Sequence, residues 1–197
     1  IIDTETIDNV FVIHLYNFND LVREDFKDAI SVFKKSGKKK LLIDLRNNPG
    51  GYLGAAVDIS SYFIEQGDII LREEMGEGID EEVYRSTGHA DIQNIRDLDI
   101  RVLINKGSAS ASEILAGALQ DHGKAEILGE QSFGKGSVQE LIDLPGGSAL
   151  KVTVAKWLTP DGDQISEKGI TPDIEIIANP ESTEDQQLLD AIASFTN

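Results

Sequence analysis

Apolar positions along this chain alternate between short continuous runs and stretches with helical spacing. Val10-Phe11-Val12-Ile13-His14-Leu15-Tyr16 is almost wholly apolar and predicts a buried strand. Val22, Phe26, Ala29, Ile30 and Phe33 then recur at helical intervals, with Asn19 or Asp20 placed to cap the helix. Lys34-Lys35-Ser36-Gly37-Lys38-Lys39-Lys40 ends it, as cations and a glycine stop at a helix C-terminus do. Leu41-Leu42-Ile43-Asp44-Leu45 predicts a second strand. It leads through Arg46-Asn47-Asn48-Pro49-Gly50-Gly51-Tyr52-Leu53-Gly54 to a helix carrying Ala56, Val57, Tyr62, Phe63 and Ile64 and stopping at Gly67.

Further on, residues 68–72 and 81–85 read as strands joined by a Gly76/Gly78 turn, and Gly88 to Asp99 is polar and loop-like. Ile100–Ile104 is a strand, and Glu113–Gln120 is a helix. Between them lies Asn105-Lys106-Gly107-Ser108-Ala109-Ser110-Ala111-Ser112-Glu113. Glu126–Gly129 is a short strand. Alternation around Gly146-Gly147 predicts a hairpin of 139–144 with 149–157, and Asp161-Gly162-Asp163 marks another turn. Gly169-Ile170-Thr171-Pro172-Asp173-Ile174-Glu175-Ile176 precedes a terminal helix over about 183–195, with Leu188, Leu189, Ile192 and Ala193 on its apolar face. Strand–turn–helix units followed by a run of β predict an α/β fold with a β-rich C-terminal part.

Composition narrows the partners. The 197 residues fit one domain, residues 1–197, and 40% hydrophobic content supports a large core. Eighteen basic and 35 acidic side chains give a net charge of −17, a surface that repels nucleic acid and anionic lipid. The absence of cysteine excludes disulfides and thiol catalysis. No apolar run approaches the roughly 18 residues of a membrane helix. The chain opens on Ile1 with no initiator Met or leader, which reads as a piece of a longer precursor.

Candidate chemistry converges on the serine turn. A hydroxyl between a buried strand and a helix sits on a rigid support, and the first N–H groups of the helix face whatever it attacks. Ser110-x-x-Glu113 is also a capping box, and on these residues alone the cap is the commoner reading. Metal binding is disfavoured, because His14, His89 and His122 form no pair with ligand spacing, and no cofactor is implied. A Ser-His-Asp triad fits poorly. His122 lies 12 positions after Ser110 on the same helix, roughly 18 Å along its axis. There is no G-x-S-x-G elbow.

A lysine is the remaining base. Lys135 stands between Gly134 and Gly136, which would let the backbone tuck its side chain inward; burial would then favour the neutral amine. Gly129-x-x-x-x-Gly134-Lys135 nearly matches a phosphate-binding loop, but Gly136 replaces the required Ser or Thr and the segment leads into β rather than a helix.

Taken together and in order, these motifs resemble the carboxyl-terminal processing (tail-specific) serine peptidases. The resemblance rests on residues 43–51, 105–114 and 133–139. Leu158-Thr159-Pro160-Asp161-Gly162 and Lys168-Gly169-Ile170-Thr171-Pro172-Asp173 extend it. It implies Ser110 as nucleophile, Lys135 as base and Gln139 as support for the lysine. It implies a ClpP/crotonase-like α/β core, cleavage near the C-terminus of protein substrates, and an extracytoplasmic setting. Family members usually carry a PDZ domain ahead of this core; here the chain begins where that domain would end. The chemistry also needs an oxyanion hole, for which the Ala111 N–H and a glycine N–H from Gly50 or Gly51 are the candidates. Two other classes remain: an inactive peptide- or ligand-binding relative, and a crotonase-like acyl-CoA enzyme. Intact Ser110 and Lys135 favour the peptidase.

Overall fold

The computed structural model of the chain describes residues 1–76, 78–89, 92, 97–145 and 147–195. Its centre is a six-stranded sheet in the order β1-β2-β3-β6-β7-β10. The strands are β1 (Ile2–Ile7), β2 (Val10–Leu15), β3 (Lys40–Asp44), β6 (Asp99–Ile104), β7 (Glu126–Gly129) and β10 (Ile174–Glu175). From β2 to β10 every neighbouring pair is parallel, with Ile13 opposite Ile43, Ile43 opposite Val102, and Val102 opposite Ile127. Parallel pairing requires crossovers, and these are helices: α1 (Val22–Ser36) leads from β2 to β3, and α3 (Ala111–Asp121) from β6 to β7. After β3 the chain passes through α2 (Leu53–Ser60), β4 (Ile69–Met75) and β5 (Glu82–Arg85) before re-entering the sheet at β6.

The apolar runs are continuous because both faces of the sheet are covered. Phe11, Ile13, Leu15, Leu41, Ile43, Val102, Ile104 and Ile127 face the core shared with α1, α2 and α3. The alternate positions Val10, Val12, Leu42, Leu103 and Leu128 face Leu188, Ala191 and Ile192 of α4 (Gln186–Ser194) and Phe195 at its C-terminal cap. A second, antiparallel sheet has the order β5-β4-β9-β8, where β8 is Ser137–Leu144 and β9 is Ser148–Leu158. The α/β core and β-rich C-terminal part expected from the sequence are both present. Among the described residues no helix is long and apolar enough to cross a membrane.

Differences from the pattern have local causes. β1 went unread because only its end residues are apolar: it is an edge strand paired on one side to β2, and its Asp3–Thr6 stretch is exposed. Helix α1 is capped by neither candidate in the ordinary way. Leu21 occupies the cap, and the Asn19 side chain receives the Leu21 N–H at 3.0 Å. Helix α2 stops at Ser60 rather than running on to Gly67, although Tyr62, Phe63 and Ile64 remain buried in the turn beyond it. Half of the polar stretch Gly88–Asp99 falls outside the described residues, as does Gly146 of the hairpin turn, and Asp99 already belongs to β6.

One charged network ties this scaffold together beneath the β3 turn. The Arg46 guanidinium grips Asp44 at 2.7–3.1 Å and Asp185, the cap of α4, at 2.7 and 2.8 Å. His14 lies between Asp44 (3.2 Å) and Glu5 (2.8 Å). Its hydrogen bond to Asp44 outweighs burial and raises its pKa. Burial works against ionisation of Asp44, but the bonds from His14 and Arg46 and the Arg46 charge hold its carboxyl below the usual range. Arg46 lowers Asp185 likewise. A raised histidine contributes stability that is complete below the unfolded value of about 6.5 and is lost as pH rises through the folded value. The two carboxylates contribute above about pH 4 and lose that contribution as pH falls through their lowered values. Thermal unfolding of the wild type and of His14→Gln across pH should therefore differ most below about pH 6.5 and converge as pH rises; a difference that grows with pH would contradict this assignment.

Candidate active site

The parallel order β2-β3-β6-β7 aligns four loops at the C-terminal ends of these strands, the usual location of sites in such sheets. In sequence order they bring Phe18, Gly50-Gly51, Ser110 and Lys135. The expectation that the glycine turn and the serine turn meet because their strands are parallel neighbours holds: β3 pairs directly with β6.

Ser110 is 7% exposed and caps α3 with φ 57° and ψ −116°, a strained conformation for a residue with a Cβ. The chain thus builds a sharp strand-to-helix elbow without the sequence motif associated with one. The capping box is also real. The Ser110 N–H donates to Glu113 Oε2 at 2.8 Å, and the Glu113 N–H lies under the Ser110 side chain while bonded to the Ser110 carbonyl at 2.8 Å. Cap and elbow are two aspects of one residue. The neighbouring serines are consumed by structure. Ser108 Oγ donates to the Leu45 carbonyl (2.8 Å), and Ser112 Oγ donates to the Asn48 carbonyl (3.0 Å). Ser110 Oγ donates to no group among the described residues.

Gly50 presses against this elbow. A Cβ built on it would lie 2.7 Å from Ser110 Cβ and 2.8 Å from the Ala111 nitrogen, so only glycine fits. Its own N–H is committed to Asn48 Oδ1 at 2.9 Å. The Gly51 and Ala111 N–H groups have no acceptor among the described residues; Ala111 is at the first position of α3, where no helical partner exists. Gly51 (φ 147°) is bridged to Phe18: the Phe18 N–H donates to the Gly50 carbonyl (2.9 Å), and the Tyr52 N–H donates to the Phe18 carbonyl (2.7 Å).

Two residues missed in the sequence organise this turn. Asn48 is fully buried, and its side chain donates to the Leu15 carbonyl (2.8 Å) while accepting from Gly50. Its own carbonyl receives the Ala109 N–H (3.0 Å) and Ser112 Oγ. The Asn-Pro-Gly order carried the signal, since asparagine commonly bonds the backbone two residues on. Glu113, read only as a cap, is 0% exposed. It accepts from Ser132 Oγ (2.6 Å) and the Gly134 N–H (2.6 Å) on Oε1, and from the Ser110 and Lys135 N–H groups (2.8 and 2.9 Å) on Oε2.

The Lys135 side chain departs from expectation: it is exposed, not tucked inward. The flanking glycines serve a different end. A Cβ on Gly136 would stand 2.5 Å from the Ser166 nitrogen, and one on Gly134 3.1–3.2 Å from the Glu167 backbone. Both glycines lie against segment 165–167, and the side chain between them faces outward. No hydrogen bond joins Lys135 Nζ to Ser110 Oγ among the described residues. Gln139 is exposed on β8, opposite Thr153, and its side chain makes no bond to Lys135. Four residues along an extended strand span about 13 Å, too far for casual contact. His122, at the far end of α3, bonds the Ile69 carbonyl at 2.7 Å and takes no part. No group of His, Asp and Glu side chains suited to a metal occurs among the described residues.

Comparison with known proteins supplies the family. A family model for peptidase family S41 matches residues 9–176. A "Probable CtpA-like serine protease" of Staphylococcus aureus (strain COL) is 44% identical over 167 residues, 85% of this chain and 33% of that protein. Its namesake from Staphylococcus epidermidis is 39% identical over 175 residues, 89% of this chain and 35% of that protein. The solved structure of a photosystem II D1 C-terminal processing protease superimposes with a TM-score of 0.77 at 33% identity, covering 90% of this chain and 45% of that one. The chain thus spans about a third of the length of the curated relatives it matches. A match running from the start of β2 through β10, and so across all four loops at the strand ends, makes this chain a member of peptidase family S41.

Proposed function

We propose that this chain is the catalytic core of a serine endopeptidase that cuts loose polypeptides near their C-termini with a Ser110/Lys135 dyad. One observation carries the reading. Ser110 is held in a strained elbow whose hydroxyl donates to no group among the described residues, flanked by the Ala111 and Gly51 N–H groups, which have no acceptor among those residues, with Gly50 packed against its Cβ.

In the proposed cycle, neutral Lys135 Nζ accepts the Ser110 proton and the alkoxide attacks the scissile carbonyl. The developing oxyanion is received by the Ala111 and Gly51 N–H groups. Gly50 is the less suitable donor because Asn48 already holds its N–H. The leaving amine takes the proton from Lys135, and water then resolves the acyl-enzyme by the reverse sequence. Hydrogen bonds of a resting site often tighten only with substrate in place, so the open Ser110–Lys135 arrangement is compatible with this role. Strand β8 starts two residues after Lys135 and lies at the edge of its sheet. A polypeptide added there as a further strand would cover Lys135 and remove it from water, with main-chain bonds that tolerate many sequences.

The test is labelling of the full chain with a serine-directed phosphonate. The expected product is one covalent adduct, on the peptide that contains Ser110. An unlabelled protein that still cleaves, or an adduct confined to another residue, would end the reading.

A further inference from the structure

Glu113 is the most deeply buried acid next to the site, and it is committed to two loops at once. Its two carboxylate oxygens collect four donors at 2.6–2.9 Å: the Ser110 N–H, the Lys135 N–H, the Gly134 N–H and the Ser132 hydroxyl. The Ser132 hydroxyl is itself oriented, because its oxygen receives the Ile170 N–H at 2.6 Å. All four groups therefore point their hydrogens at Glu113, a set matched to a carboxylate, which only accepts. A helix cap needs none of the three contacts from the 132–135 segment. Other groups tie that segment elsewhere: Phe133 N–H to the Ser108 carbonyl, and the Gly134 carbonyl to the Glu167 N–H. Among the described residues only Glu113 bonds the backbone of both Ser110 and Lys135.

We infer that Glu113 is a positioning residue that sets the separation of the Ser110 and Lys135 backbones, and so allows an exposed lysine to act as base. The inference rests on the Ser110/Lys135 reading above. Oε2 bridges the two amide nitrogens directly, so a shift of the carboxylate moves one residue of the dyad against the other. A displacement of about 1 Å at such a point is enough to cost about 100-fold in rate. Glu113 touches neither substrate nor the Ser110 hydroxyl proton, and its effect passes through Lys135.

The experiment compares full-length wild type, Glu113→Gln, Glu113→Asp and Lys135→Ala. The readout is the rate of Ser110 phosphonylation as a function of pH, together with KM for an unstructured peptide and the thermal unfolding midpoint. Glu113→Gln keeps the shape but turns an amide donor toward two N–H groups. Glu113→Asp keeps the charge but falls short of the 132–135 segment. A folded Glu113→Gln or Glu113→Asp is expected to label about 10- to 100-fold more slowly. KM should stay within about twofold, and the pH profile should take the shape of Lys135→Ala. A folded variant labelling within about threefold of wild type would overturn the inference. So would slow labelling that keeps the wild-type pH profile, and so would failure of both variants to fold, since the carboxylate would then be a folding element only. Failure of the underlying reading is separate and visible: Lys135→Ala would label as fast as wild type.

Discussion

Ser110→Ala is expected to lower turnover of an unstructured polypeptide by about 10⁴-fold or more, as loss of a nucleophile does. Lys135→Ala is expected to lower it by about 10²- to 10⁴-fold, the range of a positioned general base. Neither change should disturb the fold. The Ser110 hydroxyl donates to nothing among the described residues, and the Lys135 side chain is exposed, so the thermal midpoint should move by no more than a few degrees. His122→Ala is the control. It removes a bond to the Ile69 carbonyl at the opposite end of α3, about 18 Å along the helix, and should cost about 1 kcal/mol of stability while leaving turnover substantial. Steady-state kinetics on the three variants decides the matter. Full activity in Lys135→Ala would remove the lysine from the mechanism.

The donor turn provides the second large effect. Gly50→Ala inserts a methyl group 2.5 Å from the Ala109 carbonyl oxygen, 2.7 Å from Ser110 Cβ and 2.8 Å from the Ala111 nitrogen. The backbone cannot yield there without opening the gap between the serine elbow and the glycine turn. Gly51→Val is worse placed still, with its Cβ 2.2 Å from the Phe18 carbonyl oxygen at a φ of 147°. Either substitution should lower kcat by about 100- to 1000-fold, the usual cost of one oxyanion donor, with a much smaller rise in KM. A rise in KM alone would make the turn a substrate-binding element and move the oxyanion site elsewhere.

Much of this arrangement is legible in the residues, for physical reasons. Val10–Leu15, Lys40–Asp44 and Asp99–Ile104 are dominated by apolar side chains because helices cover one face and α4 the other. Once such strands are read as parallel neighbours, the glycine turn and the serine turn must fall at the same end of the sheet. What stayed hidden depends on contacts between segments distant in sequence. Glu113 satisfies a local capping rule, so nothing local reveals that residues 132–135 bond to it as well. The exposure of Lys135 was misjudged for the same reason. Two glycines look like freedom for the lysine between them, whereas the space their side chains would take is filled by segment 165–167. The strain at Ser110 follows from neither propensity nor pattern. It is maintained by Asn48, Gly50 and Glu113, each holding the elbow from a different side.

The central claim is that Ser110 becomes acylated, and it is tested most directly by trapping the intermediate. The full chain is mixed with an activated peptide ester, quenched in acid within the first turnovers and measured by intact-protein mass spectrometry, with digestion to locate the adduct. The account predicts one acyl group per chain, on the peptide bearing Ser110, absent from Ser110→Ala and slow to form in Lys135→Ala. Hydrolysis of the ester by wild type with the acyl group on another residue, or undiminished acylation in Ser110→Ala, would contradict it.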